Sequence, residues 1–213
     1  MENIFYEFDK HLMEDEKPSD YFNMLISTGT FPKEYPFTMI SDLIKIEQNL
    51  QYHPEGSVWN HTMMVVDEAS GRKIYSENPR VFMWAALLHD IGKTPTTKVR
   101  KGRITSYSHD EVGEKMAREF LERFQQDKDF IDGVAALVRW HMQILFVVKD
   151  LPWGNIEKMN EEASIDEVAL LGRCDRLGRG NINAEIVEKE EKNVRMFLEK
   201  SKNKVQRKNR RVD

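Results

Sequence analysis

Apolar side chains in this chain recur at helical spacing almost from end to end, and strand-period alternation is nearly absent. Residues 57–70 place His61, Met64, Val65 and Glu68 on one face, with Ser57 before them and Gly71 after. Asn78-Pro79 offers an N-cap and a proline at the first helical position, and Val81, Trp84, Ala85 and Leu88 then form one stripe within residues 79–91. Ser108 to Glu111 reads as a capping box opening a helix to about Gln126, and Ser164 to Glu167 as a second, opening a helix to about Leu177. Further helices are expected from about Asp129 to Met142 and, highly charged, over residues 182–200. Lys98–Tyr107 reads as a loop or short hairpin, and Asp127-Lys128-Asp129 as a helix cap. The pattern predicts an all-α fold.

Composition narrows the setting. A chain of 213 residues is long enough to bury a core unaided. The single cysteine, Cys174, excludes an internal disulfide and fits a reducing cytoplasm, with its side chain in the core. The longest uninterrupted apolar run, Val81–Leu88, is eight residues, against about 18 for a membrane span, and the first residues lack the basic and apolar regions of a secretory leader. Neither a membrane nor DNA is expected as a partner. Net charge is −4, yet residues 201–213 carry six basic side chains and one acid. They read as a solvated, disordered basic tail, with RNA phosphates as the alternative partner. The acidic remainder is easier to reconcile with bound divalent cations than with a broad nucleic-acid platform.

Six histidines are present, and four of them lie where an imidazole needs a partner. His89-Asp90 closes the apolar stretch Phe82–Leu88; His61 shares a face with Met64 and Val65; His141 ends the stripe Val134, Leu137, Val138. His109 falls beside Ser108 at the start of its helix. Asp175 follows Val168, Leu171 and Gly172 at helical spacings, so a carboxylate lands on a buried face. An unpartnered buried carboxylate costs several kcal/mol. Arg173, Arg176 and Arg179 are candidate partners, but inward imidazoles and carboxylates from five helices suit a divalent ion better. Without thiolates, Mn, Fe, Co, Ni, Mg or Zn in a catalytic setting is favoured over a cysteine-rich structural zinc. Glu55 and Asp110 flank these residues and are expected to orient histidines. His53 is expected to pack at the start of the His61 helix, His11 to be exposed, and Trp59, Trp84, Trp140 and Trp153 to fill the core.

The order His61, His89-Asp90, Asp175 resembles the HD-domain superfamily of metal-dependent phosphohydrolases. The segments His53-Pro-Glu-Gly-Ser-Val-Trp-Asn-His61-Thr62, Ala85-Ala-Leu-Leu-His-Asp-Ile-Gly-Lys-Thr-Pro-Thr-Thr97, Ser108-His-Asp-Glu-Val-Gly113, Arg139-Trp-His141 and Cys174-Asp-Arg-Leu-Gly-Arg179 are similar, in order, to the HD domain of bacterial CCA-adding enzymes. The resemblance covers about residues 20–180. Those enzymes carry a nucleotidyltransferase head upstream, where this chain has about fifty residues, so a freestanding HD domain is expected and nucleotide addition to tRNA is not.

The resemblance implies an HD helical bundle over 51–180, an N-terminal helical extension over 1–50 packed on it, a C-terminal helix over 181–200 and the tail. It implies His61, His89, Asp90 and Asp175 as ligands of a first metal, and His109 and His141 as ligands of a second with Asp90 bridging. Lys93 would meet the scissile phosphate and Arg179 the substrate. The implied activity is phosphodiester or phosphomonoester hydrolysis on a nucleotide or RNA end, with 2′,3′-cyclic phosphates as the specific expectation. Guanosine tetraphosphate hydrolysis is disfavoured because Ile91-Gly92-Lys93 stands where an acidic pair is usual, and cyclic-di-GMP hydrolysis because no Gly-Tyr-Pro element occurs. The competing reading is a non-catalytic, metal-containing RNA- or nucleotide-binding module anchored by the tail. Oligomeric state is left open.

Overall fold

The architecture grows from one helix that is apolar on every side. In the computed structural model, which describes residues 2–210, every residue from Val81 to Leu88 is buried. Such a helix has to sit at the centre. This helix, α5 (Pro79–Leu88), begins where the Asn78 side chain accepts from the Val81 amide. Around it the chain runs α1 (Glu2–Glu14), α2 (Pro18–Ser27), α3 (Thr38–Ser41) and α4 (Val58–Ser70) before it, and α6 (Lys93–Thr96), α7 (His109–Glu122), α8 (Lys128–Trp140), α9 (Gln143–Val148), α10 (Ile156–Glu162), α11 (Ile165–Leu177) and α12 (Ala184–Asn209) after it. Strands β1 (Lys98–Arg100) and β2 (Arg103–Thr105) form one antiparallel hairpin between α6 and α7. The fold is all-α in class, as expected.

α5 packs against α4, α8, α1 and α11. On the N-terminal side the contact is aromatic: Phe8 is ringed by Phe22, Phe31 and Phe37, and Phe5 stacks on Trp84 at 4.5 Å. Asp9 accepts from Trp84 Nε1 and Arg80 Nε, each at 2.7 Å, so α1 is fixed to α5 by polar as well as apolar contacts. α7 and α8 pack along each other, and α12 lies along α11 and α9. The stretch Lys128–Val148, spanning α8 and α9, is long and apolar enough to cross a membrane, though no single uninterrupted run announced it; 61% of its most apolar window is buried inside the protein.

Several local expectations are corrected. Neither capping box forms. Ser108 takes a left-handed φ of 58° and its side chain caps nothing, while Glu167 turns to accept from Ser76 Oγ at 2.7 Å and the Glu77 amide at 2.9 Å. Trp153 is 59% exposed, resting against Phe146 rather than in the core. His11 is half-buried, stacked on Tyr21 at 3.6 Å. The largest correction is the tail: α12 runs unbroken to Asn209. Lys202, Lys204 and Lys208 pair with Asp166, Glu157 and Glu161 on α10 and α11. Arg211 and Asp213 lie outside the described residues.

Candidate metal centre

Three helix boundaries deliver histidines by the same local device. His89 caps the end of α5, and its Nδ1 lies 2.9 Å from the Ala86 carbonyl three residues earlier. His141 caps α8 in the same way, with Nδ1 2.7 Å from the Val138 carbonyl. His109, at the start of α7, places Nδ1 2.7 Å from the Ser106 carbonyl. A carbonyl only accepts, so each Nδ1 holds the proton and each Nε2 keeps a lone pair aimed inward. His61, in the second turn of α4, is fully buried, with Glu55 Oε1 3.1 Å from its Nδ1.

The four Nε2 atoms converge on Asp90. Oδ2 lies 3.3 Å from His89 and 3.7 Å from His61, while Oδ1 lies 3.5 Å from His109 and 3.8 Å from His141. Asp175, in the last turns of α11, places Oδ1 3.0 Å from His61 Nε2. Two glycines permit these approaches. A Cβ on Gly92 would stand 2.1 Å from the His109 carbonyl oxygen and 2.5 Å from the Gly113 amide, so only glycine lets the turn after His89-Asp90 press on α7. A Cβ on Gly178 would stand 2.7 Å from the Val65 backbone, which is how closely the end of α11 meets α4.

This donor set fits a divalent cation. His109 and His141 face each other Nε2 to Nε2 at 3.2 Å, and His89 Nε2 is buried with no hydrogen-bond partner. Converging lone pairs repel unless something positive lies between them. Asp90–His61–His89 and Asp90–His109–His141 each bring donor atoms within 4.8 Å of one another, so Asp90 belongs to both sets. His53, Glu55 and His61 form a third such set.

Electrostatics agree. Burial opposes ionisation of Asp90, but Lys93 outweighs it and holds its pKa well below the ordinary value. Burial likewise opposes ionisation of Asp175, and Arg179 and His61 overcome it. Burial, reinforced by His109 and His89, lowers His141 to about 4, and burial also lowers His109. These two imidazoles are therefore neutral, the form that binds a metal.

A profile of the HD domain matches residues 56–180. The chain belongs to the HD-domain family. Curated relatives include multifunctional CCA proteins from Actinobacillus pleuropneumoniae, 31% identical over 140 residues, covering 66% of this chain and 33% of the relative. Those from Dechloromonas aromatica and Paraburkholderia phytofirmans are 29% and 30% identical over 178 and 176 residues, covering 84% and 83% of this chain and 38% of each relative. The match covers the HD region of this chain and spans only about a third of the length of these relatives. The HD domain is the signature of metal-dependent phosphohydrolases.

The HD centre opens into a cavity of about 380 Å³, with Asp90, Lys93, His109, His141 and Asp175 among its lining residues. Lys93 Nζ lies 2.6 Å from Asp90 Oδ2 and 2.6 Å from Gln48 Oε1. Arg179 reaches Asp175 Oδ1 at 3.3 Å, whereas Arg173 and Arg176 pair with Glu191 and Glu190 on α12. All eight expected site residues therefore gather here. Sequence reasoning missed Gln48, whose buried amide shares the lysine with Asp90; no local pattern distinguishes such a glutamine. His53 lines the cavity, its Nδ1 2.9 Å from Glu55 Oε1, and burial lowers its pKa to about 4. Glu55 thus touches two imidazoles, and its other oxygen accepts from the Gly180 amide at 3.1 Å. Asp110 does not orient a histidine: its carboxylate accepts from Arg139.

Proposed function

We propose that this HD domain hydrolyses phosphate esters of nucleotides or RNA ends, with 2′,3′-cyclic phosphates as its specific substrates. The observation that carries the reading is the convergence of four Nε2 atoms on one carboxylate while their Nδ1 positions face oxygen acceptors. His61, His89, Asp90 and Asp175 would hold a first ion, and His109 and His141 a second, with Asp90 shared. A divalent ion of the Mn, Fe, Co, Ni, Mg or Zn type supplies an activated water and polarises the phosphoryl oxygens when bound.

The protein's own groups do the rest. Asp90 stays ionised because the Lys93 ammonium favours its anion. Lys93, held between Asp90 and Gln48 at the cavity wall, brings a fixed ammonium to a phosphoryl group as its negative charge redistributes. Arg179, anchored on Asp175, offers its remaining guanidinium donors to the substrate. The single buried thiol, Cys174, is compatible with a reducing cytoplasm. The binding-module alternative is weakened in part, since Lys202, Lys204 and Lys208 of its expected anchor pair with acids of α10 and α11.

Metal-stripped protein reconstituted with Mn, Ni, Co, Mg or Zn is the test. It is assayed on cyclic 2′,3′-nucleotides, nucleoside mono-, di- and triphosphates, cyclic dinucleotides and an aryl phosphate, beside Asp90→Ala. Metal-dependent hydrolysis led by the 2′,3′-cyclic esters and absent from the variant is expected. Bound metal with no hydrolysis of any ester overturns the reading.

A further inference from the structure

The hairpin between α6 and α7 leaves and re-enters the site. Lys93 stands just before it and His109 just after, and Ile104, Thr105 and Ser106 line the cavity. Thr97 Oγ1 and Ser106 Oγ close its base at 2.7 Å. Its outer part is exposed and carries Lys98, Arg100, Lys101 and Arg103. Residues 91–109 hold five basic side chains and no acidic one, in a chain of net charge −4.

The register makes this arrangement costly. Arg100 faces Arg103 directly across the ladder, and Lys98 faces Thr105. Directly opposed residues share a face of the ladder, and so do residues two apart along a strand, which puts Lys98, Arg100 and Arg103 together. Like charges directly opposite are destabilising. Among the described residues none of the hairpin's four cations forms an ion pair, whereas Lys200, Lys202, Lys204 and Lys208 of α12 do. A two-stranded ribbon is marginal on its own, and uncompensated breaches of local rules concentrate at functional sites.

We propose that the hairpin is a phosphate-binding arm: Lys98, Arg100 and Arg103 engage the backbone of a single-stranded oligoribonucleotide whose terminal ester lies in the cavity. Its polyanionic backbone complements the unpaired cations, and continuity with Thr105 and Ser106 leads the chain from the arm into the site. Lys98 and Arg100, two residues apart, are about 7 Å apart along the strand, so one face meets successive phosphates rather than one. The arm adds to the phosphohydrolase reading and rests on it only for where the reacting end lies. It distinguishes oligonucleotide ends from free mononucleotides.

The test compares the full chain with a Lys98→Gln, Arg100→Gln, Arg103→Gln triple variant. Binding of a fluorescent eight-nucleotide single-stranded RNA with a 3′-hydroxyl is followed across salt concentration, alongside hydrolysis of a 2′,3′-cyclic mononucleotide. The variant is expected to bind the RNA about tenfold or more weakly at low salt, with the slope of log K against log salt reduced by about 2. Mononucleotide kcat/KM is expected to stay within about twofold. A Lys98→Arg, Arg100→Lys, Arg103→Lys variant is expected to retain both binding and slope. Unchanged RNA binding and slope in the glutamine variant overturns the arm, as does an equal loss on mononucleotide and RNA. If no ester is hydrolysed while RNA binding still falls with the slope, the arm stands and the phosphohydrolase reading fails.

Discussion

The interior of the site and its rim are built on opposite rules. Inside, His61, His89, His109 and His141 each have one nitrogen set against an oxygen acceptor and the other aimed at Asp90, and the helices carrying them approach closely enough to require glycine. At the rim, the hairpin cations have no ion-pair partner among the described residues, and Tyr52 beside the cavity is 61% exposed. The interior is therefore committed before any ligand arrives, whereas the rim still has its interactions to make. On the proposed function, reaction chemistry would rest with the first and choice of substrate with the second.

The sharpest way to break this contrast is Asp90→Ala. Removing the carboxylate common to both donor sets should abolish metal retention and lower hydrolysis by more than about a hundredfold, exceeding the effect expected of an outer partner. Metal analysis after dialysis checks it; an active, metal-replete variant would end the argument for the interior. Glu55→Gln comes next. The amide keeps the shape but loses the charge facing His53 and His61, so metal affinity or kcat should fall about 10- to 100-fold. Titration of the stripped protein reads this directly. Gly92→Ala tests whether the approach is as tight as described. The clash with the His109 carbonyl and Gly113 should cost about 3 kcal/mol, lowering Tm by roughly 6–12 °C in a chain of this size, which calorimetry measures.

Rim substitutions should act differently. Tyr52→Ala should change stability by no more than about 0.5 kcal/mol, leave metal content alone and move KM more than kcat. An equal fall in both would place Tyr52 with the interior. The last prediction concerns Glu190, away from the cavity. Burial opposes its ionisation, but Arg176 and Asn193 outweigh it and lower its pKa. A lowered folded-state pKa means stability present at neutral pH and lost as pH falls through the carboxylate range. Glu190→Gln should therefore lower stability by about 1 kcal/mol at pH 7, and the gap should close near pH 4 and below. Urea titrations at the two pH values decide it.

What the sequence discloses follows the range of the forces involved. Helices show because their apolar faces repeat locally, and α4, α5 and α8 start at or within a residue of the expected positions. Ser57 does cap α4, accepting from the Asn60 amide. The capping boxes fail because partners far along the chain compete: Glu167 is taken by Ser76 and Glu77, about ninety residues away. The helical form of residues 201–209 is hidden for the same reason, since lysines that look solvated locally meet acids that tertiary packing brings close. At the site, inward-facing histidines are visible from periodicity, and their roles from family resemblance. The Gln48–Lys93 contact and the two uses of Glu55 depend on loops whose course no short pattern encodes.

The clasp of α12 on α11 has a consequence in time. Arg173 and Arg176, flanking Asp175 on α11, are both held by acids of α12, a helix that ends at Asn209 and lies beyond residues 56–180. A ribosome adding about 5–20 residues per second releases His61, His89, Asp90, His109 and His141 well before that clasp exists. During synthesis every imidazole of the site is therefore made before the acids that hold Arg173 and Arg176 on either side of Asp175.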